Sequence, residues 1–281
     1  MPLSMIDEIP VIKVRALEYA DTTDELAAEE PLEIRLEYGP DFHREVKNIS
    51  VTMRTPGNDA ELAVGFLFTE GIIRSVDEVM FARHNFTCAE NRQNVIQVSL
   101  KSNFIPDLNT ADRNFYTTSS CGVCGKSSIN SIRTVNQFNQ LTDNNSISAT
   151  LMYTLPGLLC EQQEIFEQTG GLHASALFSS YGELLLVRED VGRHNALDKL
   201  IGAALNEEML PMNDKILVLS GRASFELVQK AAMAGINIIA AVGAPSTLAV
   251  QLANEFNITL CGFLRGQRFN IYTAPQRIIL T

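Results

Sequence analysis

Between residues 215 and 264 the chain alternates three short, almost continuously apolar runs with two stretches whose apolar residues recur at helical spacing. The runs cover 215–219, 236–242 and 258–264, and the intervening stretches 224–234 and 246–256. A strand that is apolar on both faces must be covered on both sides. Strands running in one direction also need a crossover connection, which a helix supplies. Strand, helix, strand, helix, strand therefore predicts a parallel sheet with helices packed on it. Just upstream, 174–178 and 184–187 read as strands and 195–205 as a helix. An α/β domain over residues 116–281 is expected.

The first part of the chain has a different pattern. Residues 11–19, 32–38, 46–53 and 94–100 alternate and are rich in β-branched side chains, so a smaller, mostly β domain is expected over 1–115. The whole is α+β. An acidic stretch at 19–30, with Asp21, Asp24, Glu25, Glu29 and Glu30, is expected as an exposed loop. Asn58 followed by Glu61 resembles a capping box opening a helix that carries Leu62, Phe66 and Phe68 and ends near Gly71. Residues 103–118, polar and interrupted by Pro106, read as a linker or loop leading to Cys121.

Charge and cysteine usage exclude several functions. A net charge of −11 over 281 residues opposes any role that depends on gripping a phosphate backbone, so nucleic acid is not expected as a partner. No apolar run approaches the roughly 18 residues of a membrane span, and Asp7 and Glu8 interrupt what would be a signal peptide, so a cytoplasmic protein without membrane contact is expected. The 5 cysteines are Cys88, Cys121, Cys124, Cys160 and Cys261. An odd, scattered set is not a disulfide framework.

In a parallel sheet, ligands sit where the loops leave the carboxyl ends of the strands. Ser220-Gly221-Arg222-Ala223-Ser224 and Gly243-Ala244-Pro245-Ser246-Thr247 both stand there, each before a helix. Glycines let a ligand approach, free N–H groups at a helix start favour phosphate, and Arg222 adds a forked donor. The same serines are also ordinary caps. Gly192-Arg193-His194-Asn195 is a third candidate and Gly262-Phe263-Leu264-Arg265-Gly266-Gln267-Arg268 a fourth, with Phe263 available to stack on a planar ring. No G-x-G-x-x-G and no Walker-type lysine loop is present.

The stretch Ser119-Ser120-Cys121-Gly122-Val123-Cys124-Gly125-Lys126 carries the densest chemistry. Thiols serving as small core hydrophobes would have apolar neighbours, and these have glycines and hydroxyls. Three chemistries compete, and the flexible glycines and the polar residues before Cys121 suit a dithiol–disulfide exchanger poorly. Zinc needs more ligands, and His173 is the best candidate to complete such a site. A deaminase is disfavoured: the histidine comes after the cysteines, Ser175 replaces the glutamate, and no proline precedes Cys121. A dithiol–disulfide exchanger should open a helix directly after a strand. A persulfide carrier needs an accessible, low-pKa thiolate with freedom to move, which Gly122, Gly125 and Lys126 permit. Spacing does not choose among the three.

Taken together, the cysteine stretch, Gly170-Gly171-Leu172-His173-Ala174, Glu189-Asp190-Val191-Gly192-Arg193-His194-Asn195-Ala196 with Asp198 and Lys199, Ser220-Gly221-Arg222, and Gly262-Phe263-Leu264-Arg265-Gly266 with Phe269, Asn270 and Tyr272 after it resemble the FdhD family of formate dehydrogenase accessory sulfurtransferases. The resemblance implies a carrier that accepts sulfur from a cysteine desulfurase and passes it to the bis-molybdopterin guanine dinucleotide molybdenum cofactor before insertion into formate dehydrogenase. It implies Cys121 as the persulfide-forming residue and Cys124 as its companion. The segment Leu260, Cys261, Gly262, Phe263, Leu264 and Arg265 would hold the cofactor, with Gly221 and Arg222. It also implies a cytidine deaminase-like C-terminal domain and a homodimer, and no residue is assigned to a metal. A zinc-binding or scaffold protein bridging desulfurase and dehydrogenase is the alternative.

Overall fold

The computed structural model describes residues 3–84, 93–102, 104–106, 108, 138 and 145–280. Strands β1 (Ile6–Arg15) and β2 (Glu18–Ala27) form an antiparallel ribbon of their own, turned at Ala16 and Leu17, whose φ angles are 47° and 74°. Two expectations are corrected here. The strand expected at 11–19 contains the turn, and most of the acidic stretch at 19–30 is β2 rather than loop. Neither face of the ribbon covers a core, and Leu17 at its tip is 97% exposed, so no inside–outside alternation marks its second strand.

Next come β3 (Glu30–Tyr38), β4 (Glu45–Arg54), α1 (Asp59–Thr69), β5 (Val79–His84) and β6 (Val95–Leu100). They build a four-stranded sheet of order β4-β3-β6-β5, in which β3 and β6 are parallel. Leu32, Ile34 and Leu36 of β3 turn inward while Glu33, Arg35 and Glu37 stay partly exposed, the period-2 pattern of a sheet with one covered face. Strand β5 was not foreseen. Helix α1 starts and stops as expected but without the capping box. Asn58 has φ 55° and makes no side-chain cap, and Glu61 instead accepts a bond of 2.8 Å from Arg188 Nη2.

The remaining elements are β7 (Ile147–Ser148), α2 (Ala149–Cys160), α3 (Glu164–Thr169), β8 (His173–Ser179), β9 (Leu184–Asp190), α4 (Arg193–Asn206), β10 (Lys215–Leu219), α5 (Phe225–Met233), β11 (Ile238–Ala241), α6 (Thr247–Glu255), β12 (Thr259–Arg265), β13 (Arg268–Thr273) and β14 (Ile278–Ile279). Six of the strands form a mixed sheet of order β13-β12-β11-β10-β8-β9. Its centre, β10-β11-β12, is parallel as predicted, and β8, β9 and β13 extend it antiparallel. Helices α2 and α3 were not anticipated.

Two apolar cores flank this sheet. The smaller, on one face, joins α2 to Ala174, Ala176, Phe178, Cys261 and Leu264. The larger runs from the other face through α4, α5 and α6 to α1 and the four-stranded sheet. The boundary expected between residues 115 and 116 lies outside the described residues.

The crossing of α1 and α4 joins the two sheets. A Cβ on Gly65 would lie 1.9 Å from Asp198 O, and one on Gly202 would lie 1.9 Å from Glu61 O, so the two helices meet backbone to backbone. Buried polar bonds fix their register. Thr69 Oγ1 donates to Asp198 over 2.8 Å, Lys230 Nζ pairs with Asp198 over 2.9 Å, and Lys199 Nζ donates to Thr55 O over 2.8 Å.

Candidate functional site

The carboxyl ends of β10, β11 and β12 lie side by side, and glycines let the loops that leave them close on one another. A Cβ on Gly243 would meet Gly221 O at 2.9 Å, and one on Gly262 would meet Pro245 Cδ at 2.7 Å. A Cβ on Gly221 would stand 3.1 Å from His173 Nδ1, which places that imidazole at the edge of the loop. The strand pairing continues through both loops. Gly243 N donates to Gly221 O (2.9 Å), Ala223 N to Ala244 O (3.2 Å), Ser246 N to Ala223 O (3.0 Å) and Phe263 N to Gly243 O (3.0 Å). The neighbouring loop thus takes four of these N–H groups, those of Gly243, Ala223, Ser246 and Phe263, and they are not free for a ligand.

The two loop serines also differ. Ser246 Oγ accepts from Ala249 N over 3.2 Å and caps α6, whereas Ser224 makes no cap and sits 3.3 Å from His194 Nε2. The same Nε2 lies 2.8 Å from Glu226. A serine nucleophile would need its histidine held through the other nitrogen, so this trio is not a catalytic triad.

The start of α4 enters the crevice from the side. Its direction is set by Asp190, the last residue of β9, which is 0% exposed. One oxygen of that carboxylate accepts from Gly192 N (2.8 Å) and Asn195 Nδ2 (3.1 Å), and the other pairs with Lys199 (2.8 Å) and accepts from Thr55 N (3.2 Å). Asn195 Nδ2 also donates to Met53 O over 2.7 Å. The acidic and amide residues of the Glu-Asp-Val-Gly-Arg-His-Asn stretch are therefore structural. Their work is to deliver Arg193 and His194 to the strand ends.

His173 records the company it keeps. Its pKa is held below the ordinary histidine value, first by burial and then by Arg193, His194 and Arg222, against a weaker pull from Asp190. The neutral ring keeps the form a metal would bind, but the two guanidiniums near it oppose a further cation there. Arg222 is exposed, while Arg193 Nε is buried without a hydrogen-bond partner among the described residues.

Of the expected cofactor segment, Leu260, Cys261 and Leu264 are each 0% exposed. Leu260 packs in the larger core and the other two in the smaller, so their side chains cannot reach a ligand at the surface. Burial pushes the Cys261 thiol up to about 12, which leaves it a packing group without thiolate character. Gly262 is buried at the pinch between loops. Phe263 and Arg265 are exposed, on either side of Leu264 in a bulged stretch of β12. Phe263 has φ 57°, a backbone conformation that costs a bulky residue of the order of 1 kcal/mol and clusters at functional sites. Gly221 and Arg222 stand where expected, at the end of β10. Cys121 and Cys124 lie outside the described residues. What sequence reading missed is the convergence of His173 and Arg193 on Arg222. The run Gly192-Arg193-His194 at a helix start was the one signal of it.

Fold and strand-end loops together define a mixed α/β protein with glycine-pinched loops at the carboxyl ends of its parallel strands, where Arg193 and Arg222 act on His173, and no helix among the described residues is long and apolar enough to cross a membrane. The chain belongs to the FdhD/NarQ family, whose model matches residues 27–279. It is 50% identical over 257 residues to the sulfur carrier protein FdhD of Mycolicibacterium paratuberculosis, covering 90% of this chain and 91% of that one. It is 47% identical over 276 residues to the protein of the same name from Streptomyces coelicolor (96% and 94% covered), and 42% identical over 274 residues to that of Sulfurisphaera tokodaii (98% and 99%). A crystal structure from Desulfotalea psychrophila, described as a formate dehydrogenase accessory protein, superposes with a TM-score of 0.72 at 23% identity, covering 98% of this chain and 100% of that one. That likeness supports the α+β fold. It does not by itself assign the cytidine deaminase-like class expected for the C-terminal part.

Proposed function

We propose that this chain is a sulfur carrier in the maturation of formate dehydrogenase, taking sulfur as a persulfide on Cys121 and passing it to the bis-molybdopterin guanine dinucleotide molybdenum cofactor. The observation that carries this reading is similarity over nine-tenths or more of the chain to proteins named sulfur carrier, in a chain that has the Cys121-Gly-Val-Cys124 pair. Loading is a thiol exchange. The Cys121 thiolate attacks the outer sulfur of a desulfurase persulfide, the S–S bond there breaks, the desulfurase cysteine leaves as a thiolate, and Cys121 becomes the persulfide. No net oxidation occurs. The cofactor is cargo, a multiply charged anion with planar rings. Arg193, Arg222 and Arg265 match its phosphates, and Phe263, exposed and locally strained, matches a ring. Cys124 is the companion thiol, and a cytoplasmic homodimer acting between a cysteine desulfurase and formate dehydrogenase completes the reading.

The test is intact-mass spectrometry after incubation with a cysteine desulfurase and cysteine, on wild type, Cys121→Ala and Cys124→Ala. The expected result is a reducible gain of one sulfur, absent in Cys121→Ala. No gain on any form, with active desulfurase, would remove the carrier reading and leave a zinc or scaffold role.

A further inference from the structure

We infer that the β1–β2 ribbon is a docking arm for a protein partner that presents an apolar socket rimmed by lysine or arginine, with Leu17 as the residue that enters the socket. The partner it fits is the receiver of the cargo, formate dehydrogenase, and that choice rests on the carrier reading above.

The tip supplies the first argument. Arg15 pairs with Glu18, so Ala16 and Leu17 are the two residues of a hairpin turn, and both have positive φ, 47° and 74°. Such turns favour Asn-Gly or Asp-Gly, because both positions lie in the left-handed region. This chain places there two residues with a Cβ, and one is a leucine 97% exposed. Backbone strain and hydration of an apolar side chain both disfavour Leu17 in the free protein. Entry into an apolar pocket offsets the second.

The shaft behind the tip supplies the second. Residues directly opposite, or two apart along a strand, share a face of a ribbon. One face therefore carries Glu8, Pro10, Ile12 and Val14 from β1 with Tyr19, Asp21, Thr23 and Glu25 from β2. Next to the turn, Ile12, Val14 and Tyr19 form an apolar patch whose members are between 62% and 77% exposed. Toward the root, Glu8 and Glu25 stand directly opposite each other. Like charges so placed destabilise a strand pair. With Asp21 these carboxylates make the face acidic, and no basic side chain lies on it. An apolar end on an acidic shaft complements an apolar socket with a basic rim. A second copy of this chain, at net charge −11, has the wrong sign.

Size and position supply the rest. A two-stranded ribbon standing alone is marginal in water. Two strands of 10 residues make an arm about 33 Å long and approach the roughly 20–30 residues a side of a standard interface. Pro10 removes a donor from β1 and so opposes addition of a further strand there, which leaves the face and the tip for docking. The root is fastened by Ala28 N donating to Met5 O over 2.9 Å and by α3 packing against β2. A Cβ on Gly171 would lie 3.5 Å from Ala27 Cβ at that root, and Gly171 is two residues before His173, whose ring edges the loop at Gly221. An arm rooted beside the strand ends holds its partner next to the place from which the cargo leaves.

Binding of purified, cofactor-free formate dehydrogenase to the full chain would be measured by biolayer interferometry over a range of salt. The forms are wild type, Leu17→Gly, Glu8→Gln with Glu25→Gln, and Glu161→Gln with Glu183→Gln. Glycine at position 17 relaxes the turn, so lost binding there is not lost folding. Glu161 and Glu183 are exposed outside the ribbon and give the same change in net charge. The expected result is binding weakened about tenfold or more in Leu17→Gly. The Glu8 and Glu25 pair should bind more weakly with a flatter salt dependence, and the control pair should match wild type. Binding of a cysteine desulfurase and sulfur loading on Cys121 should be unchanged in every form. Leu17→Gly that binds the dehydrogenase as wild type does overturns the arm. So does loss of desulfurase binding instead, or a fall in the sedimenting mass of Leu17→Gly, which would make the ribbon a contact between copies. Wild type that loads sulfur but does not bind the dehydrogenase overturns it as well. Failure of the carrier reading shows separately, as absent sulfur on Cys121 with dehydrogenase binding still dependent on Leu17.

Discussion

Replacing Gly65 with alanine tests whether backbone contact between α1 and α4 holds the molecule together. By helix propensity alone the substitution should stabilise α1 by about 1 kcal/mol. The contact argues the opposite. The added Cβ would lie 1.9 Å from Asp198 O and 2.8 Å from Gly202 N, where ordinary contact begins near 3.4 Å. The helices must therefore separate by about 1.5 Å, the difference between that contact distance and the clash. Overpacking of this kind costs about 1–3 kcal/mol. The shift also stretches the 2.8 Å bond from Thr69 to Asp198 and the 2.8 Å bond from Lys199 to Thr55, both buried. Loosening buried charged bonds adds about 1.5–3 kcal/mol. The net loss is about 3 kcal/mol, which for a chain of this size lowers Tm by roughly 6–12 °C. Urea and thermal unfolding monitored by circular dichroism would measure it. Gly157→Ala in α2, whose Cβ would meet nothing within 4 Å, serves as the control and should be neutral or slightly stabilising. A Gly65→Ala protein as stable as wild type would refute backbone contact at this crossing.

Phe263→Gly should leave unfolding free energy unchanged or raise it by about 1 kcal/mol, by relieving the left-handed backbone, while weakening retention of the molybdenum cofactor in pull-down. Weaker folding with unchanged retention would assign Phe263 to packing instead. His84 carries a pH signature: its hydrogen bond with Asp59 raises its pKa in the folded state, more than burial lowers it. Burial alone would raise the Asp59 carboxyl, but bonds from His84 and Arg54 hold it below its ordinary value. The stabilisation from His84 is thus complete below its unfolded pKa of about 6.5 and is lost as pH rises through the raised folded value. In urea titrations across pH 5.5–9, the stability gap between wild type and His84→Gln should shrink with rising pH, and a constant gap would show that the pair does not titrate.

Much of the six-stranded sheet was legible because its signals are local. The strand expected at 215–219 is β10, and Ser224 and Ser246 stand directly before α5 and α6 as their serine and glycine punctuation implied. Continuous apolar runs announce strands buried on both faces, and such runs are read without knowing what covers them. The same logic fails where burial is absent or arises from distant chain. The β1–β2 ribbon covers no core, so its second strand looked like an acidic loop. Glu61 fits a capping box by spacing, yet its carboxylate goes to Arg188, 127 positions away, because a guanidinium in a part-buried setting outcompetes a backbone amide.

By itself, then, the sequence determined the α/β core and the strand-end loops, which rest on neighbours within about ten residues. Tertiary structure alone decided which residues of those loops are available. It buried Leu260, Cys261 and Leu264, took four of the loop amides for bonds between neighbouring loops, and brought Arg193 and Arg222 within reach of His173. The reason is physical: burial, hydrogen-bond competition and electrostatic proximity depend on distance in space, and the chain reveals that distance only when it folds.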